Sequence, residues 1–306
     1  MNTGRDAESV DAPTRVAEGA AEARLTGRVL VVVAALMWSV NGLFAKAPIF
    51  ASWSDEERGL NLCFWRALFA GLWLLPFVRN PRVTWRYAPL LISFAVMNVS
   101  FLQSLSLTTA ANAIWLQSIA PVWIFLLGAL IWREPLERRD LTTLGWGLAG
   151  ASIILGFELS HGVGTSASLV GVMFGIIAGV SYAVVVLSIR QLRGENPVWL
   201  IALSLLVTAA VVGPYVLGRW GLPSPTQLGI LSMFGLVQMG VPYLLLAEAL
   251  RRIASQEASG IGLIEPVLVP LWVFLVWGEA PAWWTLLGGA LILVGLLLRY
   301  RRSAAM

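Results

Sequence analysis

The sequence consists largely of apolar runs about twenty residues long that follow one another from about residue 27 to about residue 299. A helix of about twenty apolar residues is long enough to cross the hydrocarbon core of a bilayer. Hydrophobic residues make up 58% of the chain and charged residues 12%, which is about half the charged fraction of a soluble domain. Strands of a membrane barrel are about half as long and alternate apolar with polar residues. The continuous runs therefore predict an all-α integral membrane protein.

The positions of the basic residues support a count of ten transmembrane helices. If the N-terminus is cytoplasmic, 17 of the 21 Lys and Arg residues fall on the cytoplasmic side, three on the outer side, and Arg66 within a helix. This bias is the one that the positive-inside rule describes. We expect a multi-pass protein of the cell's inner membrane with both termini cytoplasmic and residues 1–26 as a disordered tail. The predicted helices are approximately 27–46, 60–79, 86–106, 110–132, 140–159, 168–190, 197–217, 226–247, 254–277 and 282–299.

The two halves of the chain repeat each other at spacings of 144 and 145 residues. Each copy has five helices, an odd number, so the second copy must enter the membrane in the opposite orientation to the first. Inverted repeats are a signature of secondary transporters, whose substrate site lies near the midplane between the repeats. We therefore predict two inverted five-helix repeats, residues 27–159 and 168–299. The aligned pairs include Trp38 with Tyr182, Lys46 with Arg190, Pro121 with Pro266 and Glu134 with Glu279.

Prolines interrupt the fourth and ninth predicted helices at matching positions, Pro121 and Pro266, and Pro270 follows one turn later. Each proline lacks an amide hydrogen and its ring displaces the carbonyl four residues earlier, which is that of Gln117 or Gly262 for the matched pair. One interpretation is a cavity lined by these two helices, where free carbonyls meet a substrate or ion. The other is a kink that only assists packing, since proline is common in membrane helices.

Glu265 precedes one of these prolines, close to the middle of the ninth helix. An acid at the bilayer centre costs about 2.5–3.5 kcal/mol on insertion scales, so its presence there suggests a function. It could carry a proton, or pair with the ammonium group of a substrate, during transport. The structural alternative is a protonated carboxyl that hydrogen-bonds to a neighbouring helix. The sequence leaves both open.

Arg66 and a set of uncharged residues complete the predicted substrate path. Arg66 lies about two turns inside the outer end of the second helix, where it could extend outward as an anchor or face the cavity and attract a carboxylate. The uncharged residues could equally serve helix packing and helix–helix hydrogen bonds. They are Trp38, Asn41, Asn98, Gln117, Gln238 and Trp272.

No motif supports an enzyme, a cofactor or a metal centre. The single cysteine, Cys63, excludes an internal disulfide and a cysteine metal cage. We find no phosphate-binding loop, metal-ligand spacing or nucleophile constellation. Arginines at helix ends account for the net charge of +4 without a nucleic-acid partner. The expected partners are a small-molecule substrate, the lipid bilayer and, as a candidate driving ion, protons.

Several stretches resemble the EamA-type members of the drug/metabolite transporter superfamily. They include "LMWSVNGLFAK", "FWRALFAGLWLLP", and the related blocks that begin at "SLSLTTAANAIWLQSIAP" and "ALRRIASQEASGIGLIEP". The resemblance covers nearly the whole chain from about residue 27. It implies a ten-helix fold of two inverted five-helix repeats and the export of small metabolites such as amino acids or drugs. We expect a carrier, as a monomer or homodimer, that exports amino acids or similar amphipathic solutes by alternating access. One alternative is a carrier for broad drug or toxin efflux. The other is a membrane protein that flips lipids or acts as a scaffold.

Overall fold

The computed structural model of the protein describes residues 6–131, 138–161, 166–192, 194–253 and 255–303. Within these ranges the chain forms fourteen α-helices and no strand, with a π-helical turn at Gly235–Gly240. The helices are α1 Asp6–Ser39, α2 Asn41–Ala45, α3 Asp55–Leu74, α4 Ala88–Leu107, α5 Ala110–Ser118, α6 Ala120–Ile131, α7 Arg138–His161, α8 Ser166–Gln191, α9 Pro197–Arg219, α10 Pro225–Phe234, α11 Val241–Ala249, α12 Ser255–Gly262, α13 Ile264–Trp277 and α14 Trp283–Ser303.

These helices form ten consecutive apolar segments, which we number as spans 1 to 10. Among the described residues nine are long and apolar enough to cross a membrane, and the tenth, Trp283–Leu298, is shorter. Spans 1, 4, 8 and 9 each consist of two helices, namely α1 with α2, α5 with α6, α10 with α11, and α12 with α13. Following the predicted orientation, we call the side that carries Lys46 the outer face and the side that carries Arg79 the inner face.

The first helix begins earlier than the sequence suggested. Residues 6–26, expected as a disordered tail, continue span 1 as regular helix back to Asp6. Alanine and glutamate recur in this stretch and have high helix propensity, which accounts for the extension. Residues 1–5 lie outside the described residues. The cytoplasmic location of this segment remains a prediction.

The packing of the spans follows the two-fold relation expected of an inverted repeat. Span 1 packs on span 8 through α1 and α11, and the equivalent pair, spans 6 and 3, packs through α8 and α4. Spans 1 and 9 are in contact, as are their equivalents, spans 6 and 4. Three pairs of equivalent spans pack on each other: 2 with 7, 4 with 9, and 5 with 10. The fold is therefore a bundle in which most major contacts join the two repeats.

Small residues bring some of these spans unusually close. At the contact of spans 5 and 10, a Cβ atom added to Gly288 would lie 2.6 Å from the carbonyl oxygen of Gly150. In span 1, a Cβ atom added to Gly42 would lie 3.3 Å from a side-chain carbon of Val269 in span 9. Close approach through small residues is a usual basis of helix association in membranes. The close approach at Gly42 holds α2, the second helix of span 1, against span 9.

Candidate functional site

Spans 4 and 9 are interrupted where the matched prolines predict it. Helix α5 ends at Ser118 and α6 begins at Ala120, and helix α12 ends at Gly262 and α13 begins at Ile264. In both cases the break lies within three residues before the proline, where the proline ring excludes a regular helical carbonyl. Both spans are therefore broken just before the matched prolines, and a role of these breaks in a substrate path stays a prediction.

The interruption predicted at Pro270 is wrong. Helix α13 runs without a break from Ile264 to Trp277, with Pro270 buried in its interior. A proline removes one hydrogen bond of the helix, and neighbouring helices can hold the segment in helical form despite that loss. Each of spans 4 and 9 therefore has one break.

Span 1 contains a third break, which the sequence argument did not anticipate. Helix α1 ends at Ser39 and α2 begins at Asn41, with Val40 between them. The stretch "SVNG" contains only residues of poor helix propensity, so it is a local signal for this break. The break leaves Ser39 and Asn41 side by side, both fully buried, next to span 9.

Arg66 lies in the middle of the bundle and is 2% exposed, so it does not extend toward the helix end. Its Nη1 atom donates a hydrogen bond to Oε1 of Gln238 at 2.8 Å, and its Nη2 atom donates to Oδ1 of Asn98. The guanidinium carbon lies 5.1 Å from the ring centre of Phe234. Among the described residues no carboxylate forms an ion pair with it, and its buried Nε atom has no hydrogen-bond partner. The cation is thus held by neutral groups alone.

The π-helical turn at Gly235–Gly240 positions Gln238 in span 8. Pro242 follows four residues after Gln238, so its ring displaces the Gln238 carbonyl from regular α-helical bonding. Such π-turns occur frequently at functional sites. Gly235 packs so closely on span 2 that an added Cβ atom would lie 2.8 Å from the carbonyl oxygen of Arg66. Close packing and the irregular turn together bring the Gln238 side chain to Arg66.

Glu265 lies at the start of α13 and is half-buried. Asn41 donates a hydrogen bond from Nδ2 to Oε1 of Glu265 at 3.4 Å, while the buried Oδ1 atom of Asn41 has no partner. Two turns further along α13, Trp272 donates from Nε1 to the hydroxyl oxygen of Ser39 at 2.9 Å. Both contacts join the break in span 1 to span 9.

Tyr243 links these two groups of residues, although it was not among the predicted path residues. Its ring meets that of Trp38 edge to face, with 5.4 Å between the ring centres. Tyr243 also lies within electrostatic range of both Arg66 and Glu265. Both Trp38 and Tyr243 are half-buried. Tyr243 is therefore the one described side chain that lies within range of both charged residues and also contacts Trp38.

Seven of the eight predicted path residues come together in this way, and Gln117 does not. Gln117 is half-buried beside the break in span 4, and no described contact joins its side chain to Arg66 or Glu265. Ser39 and Tyr243, which are not among the eight predicted path residues, also belong to these groups. Both are polar groups near predicted ones, but their contacts with spans 9 and 1 depend on packing that local sequence does not show.

A cavity of about 770 Å³ opens at the inner face between the ends of spans 2, 7 and 8. Its lining includes the basic side chains of Arg79, Arg82 and Arg251, and Glu195 and Glu248 are also present. Leu244, the residue after Tyr243, also lines it, whereas Arg66 and Glu265 do not. We call this cleft at the inner face the inner vestibule.

The sequence profile described as the EamA-like transporter family matches residues 25–156 and again residues 169–301. An uncharacterized transporter of Archaeoglobus fulgidus is 31% identical over 251 residues, which cover 79% of this chain and 87% of that protein. The uncharacterized transporter YxxF of Bacillus subtilis is 24% identical over 212 residues, covering 67% of this chain and 66% of that protein.

A solved crystal structure has a similar fold. It aligns with a TM-score of 0.61 and 18% sequence identity, covering 90% of this chain and 97% of the other. At this identity the likeness concerns the fold alone. The two profile matches coincide with the two five-span halves described above.

Proposed function

The chain belongs to the EamA-like transporter family, and we propose that it exports small amphipathic metabolites, amino acids first among them, by alternating access. Its family and the names of its relatives indicate a membrane transporter and not an enzyme. The proposal concerns the solute, the direction of transport and the driving ion. It is supported chiefly by one observation, a buried cation and a half-buried acid that both lie within electrostatic range of Tyr243.

Arg66 would bind the carboxylate of the solute. A cation in the membrane interior is costly unless an anion or hydrogen-bonding groups surround it, and the described partners of Arg66 are the neutral side chains of Asn98 and Gln238. These two acceptors hold the guanidinium fork, and Nε remains as a donor without a partner. Since a guanidinium matches the planar geometry of a carboxylate, a solute carboxylate would supply the missing negative charge.

Glu265 would bind the ammonium group of the same solute. Its only described hydrogen-bond partner is the amide of Asn41, at the long distance of 3.4 Å, and it is half-buried beside the aromatic rings of span 1 and span 8. The faces of Trp and Tyr rings attract cations, with Trp the stronger. Trp38 and Tyr243 would therefore assist the acid and contact the apolar part of the solute.

The direction of transport is inferred from the vestibule. The cavity opens at the inner face and its lining includes Leu244, the residue after Tyr243, so we expect a cytoplasmic solute to enter the path from there. Arg79, Arg82 and Arg251 line this vestibule and would attract solutes that carry a carboxylate. Alternating access requires an inward-open state, in which this vestibule would extend to the site.

Protons would drive export through Glu265. In the inward-open state the carboxylate would release its proton to the cytoplasm and take up the solute ammonium. In the outward-open state a proton from outside would replace the ammonium and neutralise the acid for the return step. Neutralisation favours the return because an uncompensated carboxylate in the membrane interior is costly.

Proteoliposome efflux tests the proposal on solutes that differ by one charge. We expect efflux of leucine, and efflux at least tenfold slower for leucinamide, which lacks the carboxylate, and for N-acetylleucine, which lacks the ammonium. Efflux of cationic dyes without efflux of any amino acid would instead support broad drug export. If no solute leaves the vesicles, the lipid-flipping or scaffolding alternative is favoured.

A further inference from the structure

A second charged cluster lies at the outer ends of the helices, away from the substrate site. Nζ of Lys46 lies 2.9 Å from Oε2 of Glu279 and also donates a hydrogen bond to the carbonyl oxygen of Thr108 at 2.7 Å. The other oxygen of Glu279, Oε1, accepts a hydrogen bond from the backbone N–H of Ala110 at 2.7 Å. Both side chains are half-buried, with exposed fractions of 16% for Lys46 and 24% for Glu279.

This cluster joins three parts of the chain that belong to both repeats. Lys46 caps the end of α2 in span 1, and Thr108 and Ala110 lie at the turn between spans 3 and 4. Glu279 follows the end of span 9, where Gly278 adopts a left-handed backbone conformation with φ of 71°. Because glycine alone adopts this conformation without strain, Gly278 allows the chain to turn and place Glu279 at the start of α5. There its carboxylate also interacts favourably with the helix dipole.

Further contacts join spans 1 and 9 between the ion pair and the middle of the membrane. Trp277 donates a hydrogen bond from Nε1 to the carbonyl oxygen of Leu43 at 3.0 Å. Gly42 packs tightly on Val273 and Val269. The segment from Gly42 to Lys46 is thus held on span 9 along its length. Since Asn41 is the partner of Glu265, this segment separates the substrate site from the outer face.

We propose that Lys46 and Glu279 are further functional residues of transport, whose ion pair holds the outer end of the path closed and must break for the solute to leave. The inference rests on the proposed alternating access but not on the identity of the solute. A half-buried pair suits this role because water and ions can compete for both groups once the helices begin to separate. By contrast, the outer pair Arg58 and Asp55, at 3.8 Å, lies within a single helix and joins no two spans.

Accessibility of a single cysteine tests whether the ion pair closes the outer end. The reporter is Ala45→Cys in a Cys63→Ala background, since Ala45 is fully buried and shares a helix face with Asn41, four residues earlier. In intact cells, we expect a membrane-impermeant thiol reagent to label this cysteine slowly. Lys46→Met or Glu279→Gln should raise the labelling rate at least tenfold, because either change leaves one charge without its partner.

Two further variants separate closure from general loosening of the fold. Lys46→Arg keeps the charge and should leave labelling slow. Arg58→Met removes a charge from the same face without touching the contact between spans 1 and 9, and should also leave it slow. Labelling of the Lys46→Met protein at the rate of the Arg58→Met protein would overturn the proposal.

A reversible cross-link tests whether opening is needed for transport. In the Cys63→Ala background, Lys46→Cys with Glu279→Cys should be joined by a short bifunctional thiol reagent. We expect cross-linking to stop efflux of every solute that the uncross-linked protein carries, and a reducing agent to restore it. Efflux that continues in the cross-linked protein would refute the gate, whereas failure of amino acids as solutes would refute only the proposed substrate.

Discussion

Spans 4 and 9 are equivalent in the two repeats and are broken in the same way, but they differ in what faces the break. Ala120 precedes the proline in span 4 and is 1% exposed, while the half-buried Glu265 precedes it in span 9. Span 4 packs on the unbroken α8, where an added Cβ atom on Gly179 would lie 2.7 Å from the carbonyl oxygen of Leu116. Span 9 packs on the broken span 1, which presents Asn41. The break in span 4 is therefore packed against the backbone of span 6, whereas the break in span 9 carries polar side chains.

The charged residues of the site also have no charged counterparts in the other repeat. Arg66 comes from span 2, whereas the equivalent span 7 has no charged residue before Arg219. Glu265 comes from the second repeat and has no charged counterpart in the first. Trp38 faces Tyr243, while its counterpart Tyr182 is 40% exposed. The two repeats thus share a backbone arrangement but differ in their charged side chains, and the proposed substrate site depends on that difference.

The largest expected effect comes from removing the cation. Arg66→Gln should reduce export about 100-fold, since a hydrogen bond to a charged group contributes about 1.5–3 kcal/mol and the solute carboxylate would lose its partner. Arg66→Lys keeps the charge but not the planar fork, so it should recover less than a tenth of the lost rate. Initial efflux rates measure both. Arg58→Gln is the control at the outer face and should export normally.

Placing an acid in the first repeat should destabilise the protein without creating a second site. Ala120→Glu puts a carboxyl group into the packed contact of spans 4 and 6, at a cost of about 2.5–3.5 kcal/mol. Thermal unfolding of the purified protein measures the loss. Ala120→Gln has the same size without the charge and should lose clearly less. Combined with Glu265→Ala, the new acid should not restore export, and restoration would mean that the two breaks are interchangeable.

Removing the prolines should affect the two breaks unequally. Pro266→Ala allows span 9 to continue as a regular helix, which would move Glu265 away from Asn41 and lower the export rate about tenfold, or about 1.4 kcal/mol. Pro121→Ala should change the rate less than about threefold. Equal losses in the two variants would show that the break itself, and not its acid, determines transport.

The smallest effect concerns the hydrogen bond from Trp272 to Ser39. Trp272→Phe and Ser39→Ala should each cost about 1 kcal/mol of the free energy of unfolding, the usual contribution of one hydrogen bond. Because they share this contact, although Ser39→Ala also removes the bond from Ser39 to the Leu36 carbonyl, the double variant should lose clearly less than the sum of the two single losses. Fully additive losses would mean that this bond does not join spans 1 and 9.

The sequence predicted those features that depend on local chemistry. Apolar length predicted the spans, and the ring of Pro121 or Pro266 acts on a carbonyl four residues away in the same helix. The continuity of α13 through Pro270 could not be predicted, since neighbouring spans hold that segment. The helix at residues 6–26 was missed because its polar composition was interpreted as disorder despite its alanines.

The contacts of the site were less predictable, because they join residues far apart in the chain. Arg66 is 172 residues from Gln238, and Asn41 is 224 residues from Glu265. Polarity within apolar runs suggested which side chains matter, but not which of them meet. The repeat alignment pairs Lys46 with Arg190 and Glu134 with Glu279, yet the ion pair forms between members of different pairs. Glu134 lies outside the described residues.

The dependence of efflux on a proton gradient in the Glu265→Gln protein tests the central claim most directly. The wild-type protein, reconstituted with leucine inside the vesicles, should export faster when the outer solution is acidic. Glu265→Gln has nearly the same shape but can carry no proton and pair with no ammonium, so its efflux should be at least tenfold slower and unaffected by the gradient. Efflux from the variant that still accelerates with outside acid would contradict the assignment of Glu265 as the coupling acid.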